Sequence, residues 1–242
     1  MDEEIKKKAK VHISFNLSAD GPVLVSSGSK NSIHPERPDN MFLRGMDNGK
    51  ECYVIPGSSI KGVVKHYLYT IYTDEQIDKL FGYTAKENNL NYNEEQRGQI
   101  DERLGDTAKE NNLKSRICFY DAYADMDTIR STIRYSTAVG SVSQSAKTGS
   151  LNNLEAVTAG NFKCNIVLKN VTDDEIKMIL NALDAIDIGM IFIGGKVSRG
   201  FGKMKVKDFK MLSSDGYDEN LNPMPCEIYD SLQDAIRQYE SR

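Results

Sequence analysis

No apolar run in this 242-residue sequence is long enough to cross a bilayer as a helix, which takes about 20 consecutive apolar residues. The first ten residues are charged, so no signal peptide is expected ahead of the first strand. The four cysteines, Cys52, Cys118, Cys164 and Cys226, lack CxxC spacing, and a zinc site is not expected. Three of them, Cys52, Cys118 and Cys164, fall in apparent strands and read as reduced core thiols of a cytoplasmic protein. No Walker A phosphate loop is present, which argues against nucleotide hydrolysis. An excess of positive charge is missing as well. Lys and Arg number 31 against 35 Asp and Glu, for a net charge of −4. That balance argues against indiscriminate nucleic-acid binding, yet it leaves room for a local basic groove.

What the sequence does contain is organised around Ile55-Pro56-Gly57-Ser58-Ser59-Ile60-Lys61-Gly62. This stretch reads as a strand end, a tight turn and a capped helix start. Pro56 restricts one φ angle, and Gly57 allows backbone that other residues avoid. Ser58 or Ser59 can serve as N-cap. Ile60, Val63, Val64, Tyr67, Leu68 and Ile71 then follow helical spacing and require a core to pack on. The free amides, the positive dipole end and Lys61 together suit a phosphate. Taken alone, the same turn is equally well explained as a helix start with no ligand.

Val11, Ile13, Phe15 and Leu17 alternate with polar residues and predict an amphipathic first strand, with His12 on its polar side. Residues 18–38 read as a long loop. Met41-Phe42-Leu43 and Tyr53-Val54-Ile55 read as a hairpin around Asp47-Asn48-Gly49-Lys50. After the helix, the segment from Gly82 to Leu90 recurs almost unchanged from Gly105 to Leu113, and 83–114 reads as a duplicated polar surface insertion. The sheet resumes at Ile117–Tyr123. Residues 136–161 are poor in large apolar side chains and read as an extended arm. A strand with Phe162, Cys164, Ile166 and Leu168 on one face precedes a capping box at Thr172–Glu175. The helix it opens turns Ile176, Ile179, Leu180, Leu183 and Ile186 inward. Met190–Ile193 reads as a short buried strand leading into Gly194-Gly195-Lys196-Val197-Ser198-Arg199-Gly200-Phe201-Gly202. Its four glycines suit close backbone approach to a ligand, and Lys196 and Arg199 supply charge for phosphate. Lys196, Arg199, Lys203, Lys205, Lys207 and Lys210 crowd this region against Asp208 alone. A closing strand runs through Met204, Val206 and Phe209. Residues 212–225 read as a polar tail, with a weak terminal helix over 226–242. The order of elements predicts a single α+β domain, an elaborated ferredoxin-like or RRM-like palm over 8–210 with a tail over 211–242.

The helix start at Ile55–Gly62 and the loop at Gly194–Gly202 resemble the two glycine motifs of the RAMP (repeat-associated mysterious protein) superfamily of CRISPR effector subunits. Leu80-Phe81-Gly82 and the strand Arg116–Ala122 are similar to the signatures between them. Size and spacing look most like the backbone subunit of type III-A (Csm) effectors, over about residues 8–210. The sequence departs from that pattern at Val25–Lys30, where a glycine-rich turn is usual, and at the duplicated insertion.

The resemblance implies a palm that binds guide RNA (crRNA), with 136–161 projecting as a thumb. Its partners would be crRNA, target RNA, further copies of itself and other type III subunits, with no membrane. It implies RNA contacts by Ser58, Ser59 and Lys61 on the first motif, and by Arg44 before it and Lys65 after it. On the second, Gly194, Gly195, Lys196, Ser198 and Arg199 would do the same. It further implies that Asp39, followed by Asn40-Met41-Phe42-Leu43-Arg44, cuts target RNA with transient Mg²⁺ or Mn²⁺. A loop carboxylate can bind such an ion or orient a 2′-hydroxyl for attack on the adjacent phosphate. No residue is expected to hold a permanent metal. Two other readings stand beside it: a subunit that only binds crRNA and builds the filament, and a processing enzyme for precursor guide RNA using His34.

Overall fold

The computed structural model describes residues 7–26, 38–83, 113–137, 152–217 and 223–241. Alternation predicts the first strand correctly. β1 (Lys8–Ala19) buries Val11, Ile13, Phe15 and Leu17, while His12, Ser14 and Asn16 face the other way. β1 pairs antiparallel with β8 (Asn161–Val171) on one side and with β9 (Met204–Tyr217) on the other. Beyond β8 lie β4 (Ile117–Phe119) and β5 (Ala122–Ala124), then the β2–β3 hairpin (Arg44–Asp47, Lys50–Ile55). With α1 (Gly57–Leu68) between β1 and β4, and α3 (Asp173–Asp187) between β8 and β9, this is the ferredoxin-like strand order. The inward faces of β1 and β8 share one core with Ile60, Val64 and Leu68 of α1 and Ile176, Ile179 and Ile186 of α3. The capping box of α3 forms as expected, with Glu175 N–H donating to Thr172 Oγ1 and Thr172 N–H to Glu175 Oε2. Asn48 and Gly49 both have positive φ (49° and 78°), which gives the β2–β3 turn the twist a hairpin needs.

Several expectations are corrected. Met41–Leu43 is not a strand of the hairpin, which begins at Arg44. Ile71 lies beyond the end of α1 and is exposed, because the chain turns there into α2 (Asp74–Phe81). That helix is signalled by Thr73-Asp74-Glu75-Gln76, where Thr73 N–H donates to Gln76 Oε1 at 3.2 Å. Within 18–38, Val23, Leu24 and Val25 are buried, and Val23 pairs with Val157. Residues 152–159 are likewise part of the folded body. β7 (Asn152–Ala159) pairs with β6 (Arg130–Ser136), and Leu154, Ala156 and Val157 are buried. Met190–Ile193 is not a strand, and Met190 is exposed, although Ile191 and Ile193 are buried.

The tail assigned to 211–242 is part of the sheet and core. β9 runs on to Tyr217, β10 (Pro223–Tyr229) pairs with it, and α4 (Leu232–Glu240) buries Leu232, Ala235, Ile236 and Tyr239. Cys52 and Cys164 are buried and burial pushes both thiols up, but Cys118 is exposed on β4. The duplicated segments fall mostly outside the described residues, as does His34. The insertion's two ends meet where Tyr83 N–H donates to Leu113 O at 2.9 Å.

Candidate nucleic-acid interface

The first helix starts differently from the local expectation. Pro56 occupies the N-cap position, and neither Ser58 nor Ser59 caps. The amide of Gly57 instead donates to Asp121 Oδ1 at 2.8 Å, and that of Ser59 to Pro56 O at 2.9 Å. A carboxylate from the turn between β4 and β5 therefore already complements the positive helix end. The need for glycine at position 57 is steric rather than conformational. A Cβ there would lie 2.2 Å from Phe119 O. Ser58 is left exposed and Ser59 half-buried on the outer side of the turn.

The glycine-rich loop comes up against this turn. Ser58, Ser59, Gly62, Gly194, Gly195 and Ser26 line one open groove of about 380 Å³. Four glycines do not share one task. Gly194 and Gly202 are required by the chain itself, since a Cβ on them would meet Leu24 O at 2.3 Å and Ile193 O at 2.6 Å. Gly195 and Gly200 have space beside them. Between Lys196, which is left-handed at φ 61°, and Gly200 runs a single 3₁₀ turn, Val197–Arg199. Ser198 and Arg199 are exposed and Lys196 half-buried, and neither cation has an ion-pair partner among the described residues. The remaining members of the basic cluster are dispersed. Lys203 pairs with Asp20 at 2.9 Å, lowering that carboxyl, and Lys205 Nζ donates to Asp187 O at 2.6 Å.

A second groove follows α1 in the other direction, lined by Ser58, Lys61, Gly62, Lys65, Lys114 and Ser115. Lys61 and Lys65 are not unengaged cations here. Lys61 Nζ donates to Phe81 O and Ser115 Oγ, each at 3.2 Å, and ties α1 to α2 and to the segment entering β4. Lys65 pairs with Asp78 at 3.4 Å. Lys114, at the end of the insertion, is an exposed cation that sequence reasoning passed over. Gly62 closes the first motif, yet sequence reasoning gives it no role of its own despite the usual signal of a glycine inside a helix. It lines both grooves, is exposed, and would meet nothing within 4 Å if it carried a Cβ. The chain's own packing gives no reason for glycine there.

Asp39 and Arg44 sit apart from these grooves but are joined to them by one short segment. Leu24 O accepts from Gly195 N at 2.8 Å, and the neighbouring Val25 O accepts from Leu43 N at 2.7 Å. The Asp39 segment then lies along β7. Asn40 bridges Leu154, Asp39 N–H donates to Asn153 Oδ1 at 2.6 Å, and Asn153 N–H donates to Asp39 Oδ2 at 3.4 Å. The loop carboxylate is thus half-buried and anchored to β7.

Arg44 is engaged as well. It pairs with Glu155 at 2.7 Å through one guanidinium nitrogen and stacks on the Tyr53 ring at 3.6 Å, while its buried Nε has no partner among the described residues. Glu155, a carboxylate within an apolar run of β7, is buried. It also accepts from the Tyr53 hydroxyl at 2.7 Å and Phe42 N at 3.2 Å. Burial pushes the Tyr53 hydroxyl up and keeps it a donor.

No group of three or more potential metal ligands occurs among the described residues. Next to Asp39, Glu155 is taken up by Arg44, Tyr53 and Phe42, so these residues do not fit a resident cation. No described helix is long and apolar enough to cross a membrane.

Comparison with known proteins adds two findings. The model of the RAMP superfamily matches residues 16–205, a span that holds both grooves and the Asp39 segment. Among solved structures, the chain is similar to one in the cryo-EM structure of the type III-B Cmr-beta bound to cognate target RNA. Identity is 16%, the TM-score is 0.55, and the match covers 85% of this chain. The chain spans 61% of the length of that one, and the likeness is one of fold. No curated protein matches.

Proposed function

The chain belongs to the RAMP superfamily, and from that premise we propose that it is an RNA-binding subunit of a type III CRISPR effector ribonucleoprotein. Guide-RNA phosphates pass through the groove between the start of α1 and the glycine-rich loop, repeated copies follow one another along the guide, and other effector subunits close the assembly. The observation that carries this reading is the meeting of two motifs about 135 residues apart in the chain. Ser58, Ser59, Gly194 and Gly195 line one groove, flanked by Lys196 and Arg199. Hydroxyls, cations with no ion-pair partner among the described residues and the open Gly195 suit a sugar–phosphate backbone, and none of them reads base identity. The solved relative was imaged with target RNA, which agrees with this assignment.

The test is phosphate-type binding. In Lys196→Ala/Arg199→Ala, guide-RNA affinity should fall without a change in sequence preference. The slope of log K against log salt should flatten by about 0.7 for each cation removed from a phosphate. Unchanged affinity and slope would remove the reading.

Gly62 supports a sharper prediction. Gly62→Ala should stabilise the RNA-free chain by about 1 kcal/mol, since alanine favours a helix interior and finds empty space there. RNA affinity should nevertheless drop, because the methyl group occupies the junction of both grooves. Thermal melting and RNA titration of the same variant then move in opposite directions. Equal or tighter RNA binding would show that RNA does not approach α1 at this point.

The finer reading is a backbone subunit of the type III-A kind that also cuts target RNA. In that reaction a 2′-hydroxyl attacks the adjacent phosphorus and its proton passes to a base. The P–O5′ bond breaks and O5′ takes up a proton from water, leaving a 2′,3′-cyclic phosphate and a 5′-hydroxyl. Asp39 is the proposed base: its Oδ2 is held by Asn153, and Oδ1 has no partner among the described residues. A reading without cleavage is favoured by that same contact, since anchoring the segment to β7 explains a carboxylate at position 39 by itself.

A further inference from the structure

The helices cover one face of the main sheet, and the other face is uncovered among the described residues. Strand register fixes what that face presents. Lys10 lies opposite Lys169, Ser14 opposite Lys210, and Asn16 opposite both Lys163 and Lys207. None of these five lysines has an ion-pair partner among the described residues. Tyr123 stands beside Lys163, and Tyr120, 52% exposed, beside Asn165. His12 is held in orientation by a 3.2 Å contact to Asn165 Oδ1. A groove of about 550 Å³ runs between these groups, from Lys10 and His12 to Tyr120, Tyr123 and Lys163.

Two acidic groups enter the groove, Asp47 and Asp121. Asp121 is engaged by the Gly57 amide, and Asp47 accepts from Asn48 Nδ2 at 3.0 Å. Asp208, on the same face, is tied to Asn16 at 2.7 Å.

We propose that this open sheet face is a second RNA-binding site, a platform for single-stranded RNA separate from the groove at α1. The inference rests on the RNA-binding reading above and extends it to the sheet face that the helices leave uncovered. Charge segregation carries the argument. The chain as a whole is acidic at −4, yet one sheet face collects five unpaired lysines. A polyanion is the partner that such a face fits. Tyr120, Tyr123 and His12 among the lysines then distinguish a single strand from a duplex. Unstacked bases can lie on rings while lysines follow the phosphates, whereas a duplex keeps its base faces stacked inside.

Part of the sequence-level basic cluster thereby finds its use. Lys207 and Lys210 belong to this face, and Lys196 and Arg199 to the other. The bulge in β9 at Asp208, with φ 51°, lets Lys207 and Lys210 share the open face while Phe209 between them stays buried.

The test titrates the full chain with a fluorescent oligouridylate in three variants: Lys163→Glu/Lys210→Glu, its neutral counterpart Lys163→Gln/Lys210→Gln, and Lys196→Ala/Arg199→Ala. Each open-face variant should weaken binding about tenfold or more and flatten the salt slope by about 1.4. Combined with the loop variant, its effect should add, as for independent sites. Ultraviolet crosslinks should map to Tyr120 or Tyr123 as well as to the loop. If only the loop variant weakens binding and crosslinks come from that side alone, the second site is wrong and the first reading stands. If no variant changes binding, both fall. If the open-face variants bind RNA normally but lose self-association in sedimentation, the face takes a second copy of the protein, and the proposal is overturned.

Discussion

With Asp39 changed to alanine, target-RNA cleavage by the assembled complex should fall about a hundredfold or more, the usual contribution of a positioned proton-transfer group. Guide and target binding should change little, because the Asp39 amide still donates to Asn153 Oδ1. The structure adds a control. Asp39→Asn keeps an oxygen that can accept from Asn153 N–H but removes the charge. If the carboxylate acts chemically, both variants lose cleavage alike and assemble normally. If it only anchors the segment to β7, Asp39→Asn should retain the wild-type rate. The assay is product formation on a bound target, with a 2′-deoxy substitution at the scissile nucleotide as the blank. Wild-type cleavage by Asp39→Ala would leave the protein as a binding subunit.

The largest effect on stability is expected from Glu155→Ala. Its side chain is 11% exposed and accepts from Arg44, Tyr53 and the Phe42 amide. Removing it strands a partly buried guanidinium and a buried backbone N–H at once, while the Tyr53 hydroxyl keeps Ser131 Oγ at 2.9 Å. Breaking such a buried pair costs on the order of 3–5 kcal/mol, a large share of a domain's total of about 5–15 kcal/mol. Arg44→Met should be milder, because the remaining carboxylate keeps two donors and methionine can still cover Tyr53. Denaturant midpoints of the two variants test this ordering. A loss under about 1 kcal/mol for Glu155→Ala would show that water takes the place of the carboxylate. The pair also joins β2 to β7 just behind the Asp39 segment, so Glu155→Gln should loosen that segment before the fold gives way. Faster hydrogen exchange at residues 39–43 would report it.

Much of the scaffold is legible in the sequence because its causes are local. A period of two marks β1 and β8, a helical period marks α1 and α3, and Thr172 with Glu175 marks where α3 starts. The two glycine motifs are legible for a related reason, since glycine and proline act on their own backbone or on its nearest neighbours. Even so, local reading misassigned the reason at Gly57, which needs space for Phe119 O rather than an unusual φ.

Partner choice is another matter. Lys61, Lys65 and Arg44 carry the same charge as Lys196 and Arg199, and composition cannot tell them apart. Only packing shows that Lys61 is tied to Phe81 and Ser115, Lys65 to Asp78, and Arg44 to Glu155. The two residues of the Arg44–Glu155 pair stand 111 positions apart, and the Asp39–Asn153 contact spans 114. Contacts at that range depend on strand register, on which hairpins are inserted and on where residues 23–25 run. Within β1, β8, α1 and α3, periodicity therefore determined which side chains face the core, whereas Ile71 and residues 23–25 escaped it. The tertiary structure alone decided which polar groups were left unsatisfied for a partner, because satisfaction belongs to a pair of groups and is written in neither residue by itself.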